Sequence, residues 1–105
     1  MNYRIRARVL PGQERLLAER LEQRLLGRGE VFEQEINRAL TAAVVAGDEV
    51  HWVETCYCDP PLKMERTVLD TYFDLLSVAR ADDAPLPVGT PLPEFLTGNG
   101  TRNED

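Results

Sequence analysis

At the start of the chain Tyr3, Ile5, Ala7 and Val9 alternate with Arg4, Arg6 and Arg8. A period of two predicts a strand with one apolar and one basic face. Pro11-Gly12 ends it as a turn. Leu17, Leu21 and Leu25 then recur every fourth residue, flanked by Leu16, Ala18 and Leu26, which predicts a helix over 13–26. Glu14 sits in its first turn, where the helix dipole favours an anion, and Gly27 and Gly29 supply the stop. Residues 30–46 fit two periods. Phe32, Ile36, Leu40 and Ala43 make a helical stripe, whereas Ile36, Leu40, Ala42 and Val44 make a strand face. The β-branched Thr41, Val44 and Val45 tip the reading toward a strand over 36–45. Ala46-Gly47-Asp48 follows as a hairpin turn. Over 49–58 the alternation returns: Val50, Trp52, Glu54, Cys56 and Cys58 face one way, His51, Val53, Thr55 and Tyr57 the other. Asp59 before Pro60-Pro61 predicts a capped helix running to about residue 75, with Leu62, Leu69, Tyr72, Phe73 and Leu76 on its apolar side. Residues 75–80 either continue it or form a short final strand.

This order, β-α-β-β-α with an optional last strand, predicts an α+β domain. Two helices can cover only one face of its antiparallel sheet, which is the ferredoxin-like arrangement. Arg4, Arg6 and Arg8 then occupy the open face. Trp52 and Glu54 are expected to share it, with Glu54 opposite the arginines as a cross-strand charge pair. A tryptophan on an open sheet needs a cover, and a second subunit packed sheet to sheet would supply one. Tyr3, His51, Tyr57, Tyr72 and Phe73 are the expected lining of any cavity between sheet and helices.

Length and composition narrow the class. The 105 residues, 43% hydrophobic and 29% charged, suit one folded domain. No apolar run is long enough to span a membrane. Met1-Asn2-Tyr3-Arg4 leads into alternating arginines, not into a secretory signal, so a cytoplasmic protein is expected. The net charge of −6 speaks against nonspecific nucleic-acid binding. That charge is uneven. Residues 82–105 hold Asp82, Asp83, Glu94, Glu104 and Asp105 against Arg102 alone, together with Pro85, Pro87, Pro91 and Pro93. The domain is therefore expected to span 1–81, and 82–105 to be an extended or disordered acidic tail.

Candidate chemistry is sparse. Two cysteines are too few for a disulfide scaffold. Cys56-x-Cys58 on a strand would point both thiols one way but too far apart for an easy disulfide. A zinc or iron–sulfur site needs about four ligands, and neither a third cysteine nor a suitably placed His51 is in view. Cys56 and Cys58 are thus weak metal candidates, short of two pairs meeting in a symmetric dimer, and no cofactor is expected. Glu65, Asp70 and Asp74 read as the solvated side of the last helix. There is no glycine-rich phosphate loop, and no nucleophile sits in a recognisable elbow.

Tyr3-Arg4-Ile5-Arg6-Ala7-Arg8-Val9-Leu10-Pro11-Gly12 running into a helix, and Val50-His51-Trp52-Val53-Glu54-Thr55-Cys56-Tyr57 before a helix ending in Tyr72-Phe73, carry a loose resemblance. Residues 3–76 resemble ferredoxin-like proteins that dimerise into an α+β barrel, the superfamily of antibiotic-biosynthesis-monooxygenase-like proteins. The resemblance implies a fold and a homodimer and carries over no catalytic residue. The expectation is a noncatalytic accessory or binding protein. It would pair through Arg4, Arg6, Arg8, Trp52 and Glu54 and engage a protein partner or a small anionic ligand. The alternative is a small-molecule enzyme of the monooxygenase-like or isomerase-like kind.

Overall fold

A computed structural model describes residues 1–81 and 85–99. Five strands form one antiparallel sheet: β1 (Asn2–Val9), β2 (Val44–Ala46), β3 (Glu49–Thr55), β4 (Phe73–Arg80) and β5 (Thr90–Pro91). Their order across the sheet is β4-β1-β3-β2-β5. Helices α1 (Glu14–Glu22) and α2 (Glu33–Thr41) connect β1 to β2, and α3 (Arg66–Tyr72) connects β3 to β4. A short α4 (Leu92–Glu94) leads into a π-helical turn, Phe95–Asn99. Among the described residues, no helix is long and apolar enough to cross a membrane.

The alternation of β1 decides which side is inside. Ile5 and Ala7 are fully buried, and Leu17 and Leu21 of α1, Ile36 and Leu40 of α2, and Leu69 of α3 join them in one core. The three helices therefore cover the Ile5 side, and Arg4, Arg6 and Arg8 take the other.

The register of β3 overturns one expectation. Ile5 lies opposite Trp52 and Tyr3 opposite Glu54, so Trp52 and Glu54 face the helices and are both fully buried. His51 and Val53 lie opposite Arg6 and Arg4 on the uncovered face. Alternation groups the side chains of a strand correctly, but a register offset of one residue exchanges the two faces. Trp52 has its cover inside the chain: its ring lies 5.0 Å from that of Phe73, tilted by 46°.

Residues 33–41 form α2 where a strand over 36–45 was expected. The helical period buries Ile36, Ala39 and Leu40 together, and that shared burial outweighs the β-propensity of Thr41. Val44 and Val45 do form β2, and Gly47, at φ 67°, makes the turn into β3. α1 ends at Glu22, short of residue 26, because Arg24 takes the left-handed φ of 55°. The last helix is also shorter than 60–75. Leu62 adopts φ 65° with its side chain fully buried, so the helical run begins only at Arg66. Residues 73–80 are then strand, not continued helix.

Nor do residues 90–99 form an extended tail. β5 pairs with β2, the Leu92 amide donates to the Ala43 carbonyl at 2.9 Å, and Leu92 and Leu96 are buried in the same core as Ile5. A boundary at residue 81 therefore fails. Pro91 is tolerated because β5 is an edge strand, and Pro93 because it stands in the first turn of α4. β4 and β5 occupy opposite edges of the sheet. Between them, the Pro85 carbonyl accepts a hydrogen bond from the Arg4 guanidinium at 3.2 Å, on the uncovered face. Gly89 allows the final approach, since a Cβ there would stand 2.2 Å from the Val45 carbonyl oxygen. Residues 82–84 and 100–105, with the acids Asp82, Asp83, Glu104 and Asp105, lie outside the described residues.

Candidate functional site

β3 ends in a polar clamp. The Thr55 amide donates to Glu35 Oε2 of α2 at 2.8 Å. Glu35 is gripped by Arg38 through two hydrogen bonds of 2.7 and 2.6 Å, and Arg38 also reaches the Val53 carbonyl at 3.3 Å. The hydrogen bond from Arg38 holds the Glu35 carboxyl below its ordinary range. Helix and strand end are thereby tied together, and the Cys56 amide adds one more hydrogen bond, to the Met1 carbonyl at 2.9 Å, before the chain turns away.

There the two cysteines come together. Cys56 is buried, and its sulfur accepts hydrogen bonds from the backbone amides of Cys58 (3.2 Å) and Leu62 (3.4 Å). The left-handed backbone of Leu62 belongs to the turn that presents the second of these amides. Glu65, the residue before α3, is 3% exposed. Its Oε1 stands 3.9 Å from both Cys56 Sγ and Cys58 Sγ, each thiol donating toward it. One ligand atom from each of the three residues lies within 4.8 Å of the others. Burial pushes the Cys56 thiol up, against the two amides that favour its thiolate.

A second carboxylate lies close behind. Trp52 Nε1 donates to Glu54 Oε1 at 3.0 Å, while Glu54 Oε2 is buried without a hydrogen-bond partner among the described residues. Burial raises the Glu54 carboxyl to about 7; the Trp52 hydrogen bond opposes the shift, and the nearby charges of Glu65 and Glu35 add to it.

Over the thiols opens a pocket of about 420 Å³, walled by Val31, Phe32, Tyr57 and Met64, with Cys56, Cys58 and Glu65 beneath. Val31 and Tyr57 are 89% and 85% exposed, and Met64 44%.

The uncovered sheet face has a different chemistry. Arg8 Nε meets Asp48 at 3.0 Å, and Glu49 is shared by Arg6 (3.6 Å), Arg8 (3.6 Å) and His51 (3.7 Å). The Arg6 contact is too long for a hydrogen bond, and its Nε has none among the described residues. His51 is held below its ordinary value, first by burial and then by the charge of Arg4.

The expected binding set thus separates. Arg4, Arg6 and Arg8 stay on the uncovered face, and Trp52 and Glu54 belong to the interior. The expected cavity lining separates too. Tyr72 and Phe73 are core, Tyr3 is half-buried against the core, His51 lies on the arginine face, and Tyr57 projects to solvent at the pocket. Glu65, expected on a solvated helix side, is buried beside the thiols. The sequence carries a signal for it: Leu62, Glu65, Leu69 and Tyr72 follow helical spacing, so the acid falls in the apolar stripe. Glu54 gives the same signal at period two, between Trp52 and Cys56.

The chain matches no family model, no curated protein and no solved structure at a significant level.

Proposed function

We propose that the protein is a small noncatalytic binding protein whose ligand enters the pocket at the end of β3. The observation that carries this reading is the rim. Val31, Tyr57 and Met64, three large apolar side chains left in water, converge on one opening with a polar floor. Isolated exposed apolar residues are ordinary, but several around a concave site with a few polar groups mark a binding surface. His51 supports the noncatalytic part. It is the chain's only histidine, and it lies on the arginine face while the Cys56 thiol is buried in the core. A fragment screen read by amide chemical shifts tests the reading. Binders should move Val31, Thr55–Tyr57 and Glu65, and Tyr57→Ala should abolish the response. Shifts confined to Arg4, Arg6 and Arg8 would overturn it.

A homodimer over the uncovered sheet face is the second reading. It is favoured by the mixed charge there, Arg4, Arg6 and Arg8 beside Asp48 and Glu49, which is self-complementary about a two-fold axis. The β4-β1-β3-β2 succession fits the ferredoxin-like arrangement, with β5 as an added edge. Pro85 at Arg4 would be part of such an interface. Sedimentation of the wild type and Arg6→Glu tests it: a dimer that dissociates in the variant supports it, and a monomer at high concentration removes it.

A further inference from the structure

We propose that Cys56, Cys58 and Glu65 form a site for a zinc-class divalent ion, with its fourth coordination position open to the pocket. The inference rests on the pocket reading above and names its ligand.

Three independent observations meet here. The first is convergence. Cys56 Sγ, Cys58 Sγ and a Glu65 oxygen lie within 4.8 Å of one another, and both S···O distances are 3.9 Å. Tetrahedral zinc with Zn–S near 2.3 Å and Zn–O near 2.0 Å places sulfur about 3.5 Å from oxygen and about 3.8 Å from a second sulfur. The side chains therefore need to close by only a few tenths of an ångström for the S···O pairs. The second is the environment of Cys56. Two backbone amides already donate to its sulfur, the arrangement that steadies a thiolate once a metal has displaced its proton to solvent. The third is Glu65 itself. A carboxylate 3% exposed, with two thiols as its partners, has no cation in hydrogen-bond or ion-pair contact among the described residues. A buried carboxylate of this kind is suited to holding a cation.

The donor set selects the ion. Two thiolates favour a borderline or soft metal, and the carboxylate favours a divalent ion over a monovalent soft one. Three protein ligands leave one position free, and all three line the pocket that Tyr57 and Met64 also line, so a ligand in the pocket could take it. On binding, the thiols of Cys56 and Cys58 lose their protons to solvent and each sulfur bonds the metal; no electron is transferred.

The test is titration of the reduced, metal-stripped full chain with Co²⁺, followed by Zn²⁺. Expected is a saturable thiolate-to-cobalt charge-transfer absorption at one ion per chain, with the visible bands of tetrahedral cobalt, erased by Zn²⁺. Cys58→Ser should roughly halve the charge-transfer intensity. Glu65→Gln should keep the absorption and weaken binding at least tenfold. Circular dichroism verifies the fold of each variant. A folded, reduced protein without this absorption at millimolar Co²⁺, or one unchanged by Cys58→Ser, overturns the metal site. Fragment shifts at Val31 and Tyr57 that survive such a result would leave the pocket reading standing. Their absence from a protein that still takes up cobalt would remove the pocket and spare the metal.

Discussion

β3 carries two opposite treatments of charge on its two sides. On the arginine face, Glu49 is shared by Arg6, Arg8 and His51, and Arg8 also meets Asp48, in an ion-pair network whose two arginines are roughly half exposed. On the helix face, Glu54 and Glu65 are buried with a tryptophan N–H and two thiols for company. Water screens the first set, so each pair there is worth little to stability and is freely exchanged. The second set is held away from water, where a carboxylate is costly unless neutral or joined by a cation. A protein keeps such groups inside only where packing or a ligand compensates for them. That difference directs attention to the pocket and away from the more conspicuous arginines.

The largest expected effect comes from removing what encloses the buried set. Trp52→Ala leaves a void against Phe73 and removes the donor to Glu54, so a loss of about 3–5 kcal/mol is expected in chemical denaturation. A loss under about 1 kcal/mol would mean the two sides of β3 are less different than drawn.

The next test is pH. Glu54 titrates at about 7 in the fold against 4.5 for its unperturbed carboxyl. A raised folded value means the contribution to stability is complete below 4.5 and is lost as the pH rises through 7. The cost above that pH is of the order of 3 kcal/mol. Glu54→Gln keeps the acceptor for Trp52 and cannot ionise. It should therefore be more stable than wild type at pH well above that value, and the two should converge in acid. Parallel stability curves for wild type and variant would show that Glu54 ionises no differently in the fold than in the unfolded chain.

The smallest effect belongs to the arginine face. Arg8 is roughly half exposed, and Arg8→Ala should cost less than about 1 kcal/mol and less still in high salt. A larger, salt-independent loss would show that this face is enclosed, as a subunit interface would enclose it.

Much of the fold is legible along the chain. The alternation of Tyr3 to Val9, the leucines of α1, the turn at Gly47 and the alternation of β3 each depend on contacts a few residues apart. What stays hidden depends on longer range. Ile36 and Leu40 suit a helix and a strand equally, and only the core that receives Ala39 chooses. The side taken by Trp52 follows from its register against Ile5, which no local pattern encodes. The thiol site needs the turn through Leu62 to bring Glu65 back onto Cys56, so the spacing Cys-x-Cys alone understates it. The prolines at 91 and 93 read as breakers, although an edge strand and a helix start accommodate both.

The placement of Leu92 and Leu96 in the core has a consequence for biosynthesis. The first strand lies inside the sheet, between β4 and β3, yet the core on its helix-covered side is completed by Leu92 and Leu96, far along the chain. A nascent chain held on the ribosome before Thr90–Leu92 emerge would present Ala43 and the edge of β2 uncovered. This core is therefore incomplete until the segment from Thr90 to Leu96 is available, and the interval before that is when β2 is most exposed to pairing with a neighbouring chain.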